Sequence, residues 1–373
     1  MQQPPYEDAR WRQRFQKKLL AWFADHGRAL PWRGTRDPYA IWVSEIMLQQ
    51  TTTQTVRGYY DRFLERFPTV EVLATADLAE VNRLWEGLGY YRRAAQMHRA
   101  ACEIVEKYGG RLPHDPVELQ RLPGIGRYTV GAILSIADDC RLPILEANTI
   151  RLHARLLAYR EDPTATAGQK VLWQMAEHLL PERHVGHFNQ ALMDMGSLVC
   201  TPEQPHCADC PVVTLCRTAE AGLQDCIPMR KPKCPPEPRT ELAVYVCKNG
   251  RILMQQAATG NRWAGLWGLP MVDATDMQLP TVMSQANVSD QEKIVNRFLK
   301  ETGQVFQIGT LLTTQRHTVT RYRITLHVYA ATLPGGRVKK QEAFRLAWFT
   351  TEELQQLPLH STARKVVGCL APS

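Results

Sequence analysis

Apolar side chains recur at helical spacing through the first part of the chain and alternate, strand-like, from about residue 240 onward. Trp11 to His26 carries Phe15, Leu19, Leu20, Trp22 and Phe23 with basic residues on the other face, which predicts a core helix. Asp37-Pro38-Tyr39 opens a second helix, which runs through Ile41, Trp42, Val43, Ile46, Met47 and Leu48. Helical spacing returns at Ala94 to Tyr108 and Val117 to Ala137, with Pro113 and Pro116 as stops, and again at Thr149 to Leu157, Gly168 to Leu180 and Phe188 to Val199. The period then falls to two. Leu242 to Val246 and Ile252 to Gln256 are strands about Asn249-Gly250, a dipeptide that favours a type I′ turn. Strands over Arg321 to Ala330 and Leu346 to Phe349, with helices over Gln291 to Gly303 and Ser361 to Leu370, complete the pattern. The reading is an all-α domain over 1–224, a stiff Pro/Lys-rich linker over 225–239, and an α+β domain over 240–373.

Composition agrees with two folded domains, at 44% hydrophobic and 22% charged residues. The net charge of +8 is unevenly placed: from Arg239 onward there are 16 basic against 9 acidic residues, leaving 29 against 28 before it. Attraction to a polyanion is therefore expected largely from the second half. Met1 to Arg14 is polar and charged with no apolar signal core, so the ten cysteines are read as reduced thiols of a cytoplasmic protein. No apolar run reaches the length of a membrane span. The expectation is a protein not associated with a membrane.

Local motifs carry the chemistry. In Leu122-Pro123-Gly124-Ile125-Gly126, glycines flank one apolar residue, permitting positive φ and baring backbone N–H groups at the start of a helix near Arg127. That arrangement grips phosphate without reading sequence, although the same turn could merely join two core helices. Glu45 lies in an apolar helix, where a buried carboxyl holds its proton toward neutral pH; a place on a polar stripe is the alternative. Leu84-Trp85-Glu86-Gly87-Leu88-Gly89-Tyr90-Tyr91-Arg92-Arg93 sets aromatics beside glycines and arginines, a composition suited either to stacking on bases or to a helical core. Cys200, Cys207, Cys210 and Cys216 are separated by six, two and five residues. Four thiolates suit a four-iron four-sulfur cluster, and the single close pair argues against a zinc module.

With these motifs in view, Gly126-Arg127-Tyr128-Thr129-Val130-Gly131-Ala132 and the carboxylate Glu146 resemble the helix-hairpin-helix superfamily of DNA glycosylases. The endonuclease III branch has a nucleophilic lysine where this chain has Tyr128, which points to a monofunctional enzyme. Glu45 followed by Met47-Leu48-Gln49-Gln50-Thr51 resembles the MutY-type adenine glycosylases, and the cysteine spacing matches their 4Fe-4S loop over 200–216. The resemblance implies catalytic roles for Glu45, Glu146, Tyr128 and Asn148. It implies DNA or lesion contacts at Arg33, Gln50, Thr51, Leu88, Tyr90, Gly124, Gly126, His317, Thr320 and Arg321. The second domain resembles a Nudix fold through Trp263 to Pro270, but its Asn296-Arg297-Phe298-Leu299-Lys300-Glu301 helix keeps only Glu301 of the magnesium-binding carboxylates, so hydrolase chemistry is not expected.

The resemblance implies a nucleoid-associated monomer whose substrate is duplex DNA with adenine opposite 8-oxoguanine or guanine. Two departures stand out. The family's aspartate is Glu146, and its Phe-Ser-His lesion-reading loop is Val319-Thr320-Arg321. A glycosylase retuned to another base or lesion, or a catalytically weak lesion-binding protein, is the alternative. A nucleotide pyrophosphatase is opposed by the missing carboxylates.

Overall fold

A computed structural model describes the chain apart from residues 1–3, 230–233, 259–262, 278–287, 336–337, 339–344 and 371–373. Chain contacts divide it into two compact units, residues 1–75 with 96–232 and residues 76–95 with 233–373. Residues 76–95 group with the C-terminal unit. Residues 230–233 of the expected linker lie outside the described residues, and its last part, from Glu237, is already strand.

The first unit is helical: α1 (Ala9–His26), α2 (Pro38–Leu48), α3 (Thr53–Arg66) and α4 (Val70–Thr75), then most of α6 (Arg92–Tyr108), which follows α5 (Leu78–Leu84) of the other unit. It continues with α7 (Pro116–Arg121), α8 (Arg127–Asp138), α9 (Ala147–Leu157), α10 (Thr166–Leu179), α11 (Val185–Leu198) and the single turn α12 (Arg217–Glu220). Side chains set the starts of these helices. Asp8, Asp37 and Asp115 each accept backbone N–H groups at an N-terminus, and Pro38 and Pro116 occupy first-turn positions whose N–H would have no helical partner. Helix α2 is buried from Tyr39 through Met47, as its all-round apolar sequence requires. Phe15, Leu19, Leu152, Met175 and Phe188 form a core between α1, α9, α10 and α11, and Cys200 closes one end of it.

In the second unit, β1 (Glu237–Tyr245), β5 (Met271–Asp273), β6 (Gln307–Val319) and β7 (Tyr322–Thr332) form a mixed sheet in the order β5-β1-β7-β6. Strands β2 (Cys247–Lys248), β3 (Arg251–Gln256), β4 (Trp267–Gly268) and β8 (Arg345–Phe349) form a second sheet around β3. Leu242 and Val244 of β1 join one core with Ile294 and Phe298 of α13 (Val288–Thr302), while Ala243 joins another with Leu354 of α14 (Thr351–Gln356) and Val366 of α15 (Ser361–Leu370). That alternation is why the second half of β1, Leu242 to Tyr245, reads as continuous apolar sequence. Asn249 and Gly250 both have positive φ, as the expected hairpin turn demands. Strand β6 carries no clear signal in the sequence: it is the sheet edge, where Leu311 and Leu312 are exposed and the half-buried side is largely polar, with Thr313, Gln315 and His317.

Candidate active site

Three helix ends meet around a cavity of about 310 Å³ in the first unit. The buried helix α2 carries Glu45 into it, α8 carries Tyr128 in its first turn just past the glycine hairpin, and α9 is capped by Glu146 with Asn148 in its first turn. The Tyr128 hydroxyl donates to Glu45 Oε2 at 2.6 Å. Glu45 is only 4% exposed, and burial raises its pKa above the ordinary value. The Tyr128 hydrogen bond and Arg33 oppose that rise, while the charge of Glu146 adds to it. Burial and the two carboxylates hold Tyr128 well above its usual range, so the phenol is a neutral donor.

Glu146 is the N-cap of α9. Its Oε2 accepts from the Asn148 N–H at 2.8 Å and its Oε1 from the Thr149 N–H at 3.0 Å, while Thr149 Oγ1 accepts from the Glu146 N–H at 2.7 Å. Capping of this kind is usual for aspartate or serine; the longer glutamate achieves it by folding back over its own helix. Burial raises the Glu146 pKa, opposed by those two N–H groups and by Arg151. Capping and a cavity position thus coexist in one side chain. Asn148 is fixed from behind, its Oδ1 accepting from Arg151 Nη2 at 2.9 Å, and Arg151 also donates to the Gly196 and Cys200 carbonyls.

Opposite these groups, Arg33 donates to Gln190 Oε1 at 2.6 Å and to Asp194 Oδ1 at 2.9 Å. Asp194, with no exposed side-chain surface, also takes a forked pair of bonds from Arg28. Sequence reasoning found Arg33 but missed Arg28, Gln190 and Asp194. The available signal was Asp194 itself, an acid within the otherwise apolar run of α11. Thr51 lines the same cavity, and Gln50 beside it is exposed with φ +59°.

The remaining candidates for DNA contact are not among the residues that line the cavity. In the hairpin, Gly124 has φ +79° and Ile125 is buried, as expected. Gly126 departs from expectation: its φ is −99°, since it is the N-cap of α8, and nothing lies within 4 Å of where a side chain would begin. In the second unit Tyr90 is 53% exposed at φ +48°, whereas Leu88 is buried. Thr320 sits at φ +50° in the β6–β7 turn, with Arg321 donating to the Tyr322 hydroxyl and pairing with Glu237 at 3.6 Å. His317 is half-buried on β6, opposite Ile324. On α13, Glu301 shares Arg297 with Asp276.

Cys200, Cys207, Cys210 and Cys216 line one small, mostly apolar space, and no carboxylate lines it with them. The buried Arg155 donates to Cys200 Sγ at 3.4 Å and to the Thr201, Pro202, Gln224 and Ile227 carbonyls. Soft donors beside a buried cation suit an anionic, thiolate-bound group. Among the described residues, no group of three or more His, Cys, Asp and Glu side chains is arranged to hold a single metal ion.

Residues 43–178 match the HhH-GPD superfamily of base excision DNA repair proteins, and residues 242–368 match the NUDIX domain. The adenine DNA glycosylase of Rattus norvegicus is 32% identical over 94% of this chain and 77% of its own length. The chain belongs to the adenine DNA glycosylase family. The Homo sapiens adenine DNA glycosylase is likewise 32% identical, over 94% of this chain and 73% of its own. A solved thermostable thymine-DNA glycosylase, 31% identical, superposes with a TM-score of 0.53 over 57% of this chain and 98% of its own. As an adenine DNA glycosylase the chain is a base excision repair enzyme with DNA as its substrate, and no helix among its described residues is long and apolar enough to cross a membrane.

Proposed function

We propose that this adenine DNA glycosylase removes adenine paired with 8-oxoguanine or guanine, using Glu45 as proton donor and Glu146 as the charge that faces the reacting sugar. The observation that carries this reading is the buried Glu45 carboxyl, bonded to Tyr128 at 2.6 Å in a cavity that Glu146 and Asn148 also line. Its raised pKa keeps a proton available for the imidazole-ring nitrogen of a flipped-out adenine. Protonation weakens the glycosidic bond, whose electrons leave with the base. The sugar becomes an oxocarbenium-like cation, stabilised by the Glu146 carboxylate, which its two backbone N–H bonds hold in place. Deprotonated Glu45 then accepts a proton from the attacking water, the double duty of a carboxylate pair at a sugar centre.

Tyr90 is read as an aromatic wedge that stacks into the duplex, Gln50 and the glycine hairpin as the DNA grip, and the Val319-Thr320-Arg321 turn as the lesion reader. Cys200, Cys207, Cys210 and Cys216 are proposed to hold a 4Fe-4S cluster, with Arg155 balancing its negative charge; when bound, the cluster supplies a redox-active centre that pins the loop. Iron and sulfide content of the purified protein, compared with a Cys210→Ser variant, tests that assignment.

Single-turnover base release from duplexes with adenine opposite 8-oxoguanine and opposite guanine tests the function. Release at both, faster opposite 8-oxoguanine, is expected, with loss on the order of 10³-fold in Glu146→Gln. Full activity in that variant would place the stabilising charge elsewhere. A second reading, another lesion preference, draws on Arg321, a fixed cation already engaged by Tyr322 and Glu237; faster release opposite a different damaged base would favour it.

A further inference from the structure

The loop that presents Tyr90 is shaped by two arginines. From within, the buried Arg93 donates to the Leu88 and Gly89 carbonyls at 3.2 and 3.1 Å and lies against the Trp85 and Tyr90 rings. Trp85 adds its own N–H bond to the Gly89 carbonyl. The second arginine comes from the far end of the sequence. Arg364 of α15 forks onto Glu86, with Nε to Oε1 and Nη2 to Oε2 both at 2.7 Å, and spends the rest of its fork on the Leu354 and Leu357 carbonyls. The pair is shielded, with 34% and 18% of the two side chains exposed, and such forked pairs fix orientation as well as distance. Nearby, Arg83 donates to Gln356 at 2.9 Å. Residues 76–95 belong to the same compact unit as α15 and the β6–β7 turn.

We infer that Arg364 is a positioning residue for base removal: its fork on Glu86 holds the Tyr90 loop as one body with the Val319-Thr320-Arg321 turn, so that lesion reading and wedge insertion are linked. The inference rests on the roles proposed above for Tyr90 and for that turn. A tethered wedge enters the duplex in register with a recognised lesion; an untethered one enters regardless of what lies opposite.

The test uses the full chain. Arg364→Met keeps the side-chain stem and removes the fork, Glu86→Gln removes the charge, and Glu86→Arg with Arg364→Glu reverses the pair. Readouts are single-turnover release opposite 8-oxoguanine and opposite guanine, and the fluorescence of a 2-aminopurine placed beside the lesion, which rises when a base step is opened. Arg364→Met is expected to slow release opposite 8-oxoguanine on the order of tenfold, to change release opposite guanine less than about threefold, and to lower the fluorescence response. Glu86→Gln is expected to act in the same direction, and the reversed pair to recover part of the loss. A lower melting temperature with the rate ratio and the fluorescence unchanged would overturn the inference, showing the pair to be structural only. Tyr90→Ala separates the two levels. If it leaves the fluorescence unchanged, the wedge reading fails and this inference with it; if it abolishes the response while Arg364→Met is silent, only the inference fails.

Discussion

Glu45 is held between opposing influences: burial and Glu146 favour its proton, the Tyr128 hydroxyl and Arg33 its charge. A donor must be protonated to act, so base release is expected to fall as pH rises through the elevated Glu45 pKa. Tyr128→Phe removes a bond that favours the charged form, so that limb should move to higher pH while the maximal rate drops on the order of tenfold. A pH profile left in place would detach Tyr128 from Glu45. His153 on α9 gives a second, separable dependence. It is fully buried, neither ring nitrogen has a hydrogen-bond partner among the described residues, and burial pulls its pKa down to about 4. The unfolded chain takes up that proton near 6.5, so between the two values the unfolded state binds more protons and stability declines as pH falls. The loss approaches on the order of 3 kcal/mol by pH ~4. Melting temperatures of His153→Leu followed from neutral to acid pH should decline less steeply than those of the unaltered protein.

The spacing of whole elements matters as much as their side chains. A Cβ on Gly196 of α11 would lie 2.7 Å from Asn148 Cβ and 3.1 Å from its backbone. Gly196→Ala is therefore expected to displace the first turn of α9 and cost on the order of 10²-fold in single-turnover release, with helix content by circular dichroism retained. Helices such as α1 and α2 were legible in sequence because their apolar spacing and their Asp and Pro starts point to the same answer. The Glu45, Tyr128, Glu146 and Asn148 cavity was legible through short motifs. Arg28, Gln190 and Asp194 were not, since a buried ion network leaves no period in a sequence and its members are far apart along the chain. Strand β6 was hidden for a different reason: an edge strand in water has no apolar face to betray it. The grouping of residues 76–95 with the C-terminal unit was not legible either, since Glu86 meets Arg364 across 278 residues of sequence.

Across the whole molecule the positive charge gathers after Arg239. Arg316 and Arg323 are exposed on β6 and β7 near their shared turn, where they would meet phosphate. Replacing both with glutamine should flatten the dependence of duplex affinity on salt, lowering the log–log slope by about 2 in magnitude, with base release at saturating protein little changed. An unchanged slope would locate the phosphate contacts elsewhere. One feature of the backbone also bears on how this protein could be altered. Gln50, Tyr90 and Thr320 each occupy the left-handed region, a conformation that costs a residue with a side chain roughly 1–2 kcal/mol. Glycine at any of them would relieve that strain and make the resting protein sturdier, while deleting the side chain proposed to meet DNA. Selection for thermal robustness alone would thus drift toward a better-folded enzyme that discriminates less, and the three positions would be the first to reveal it.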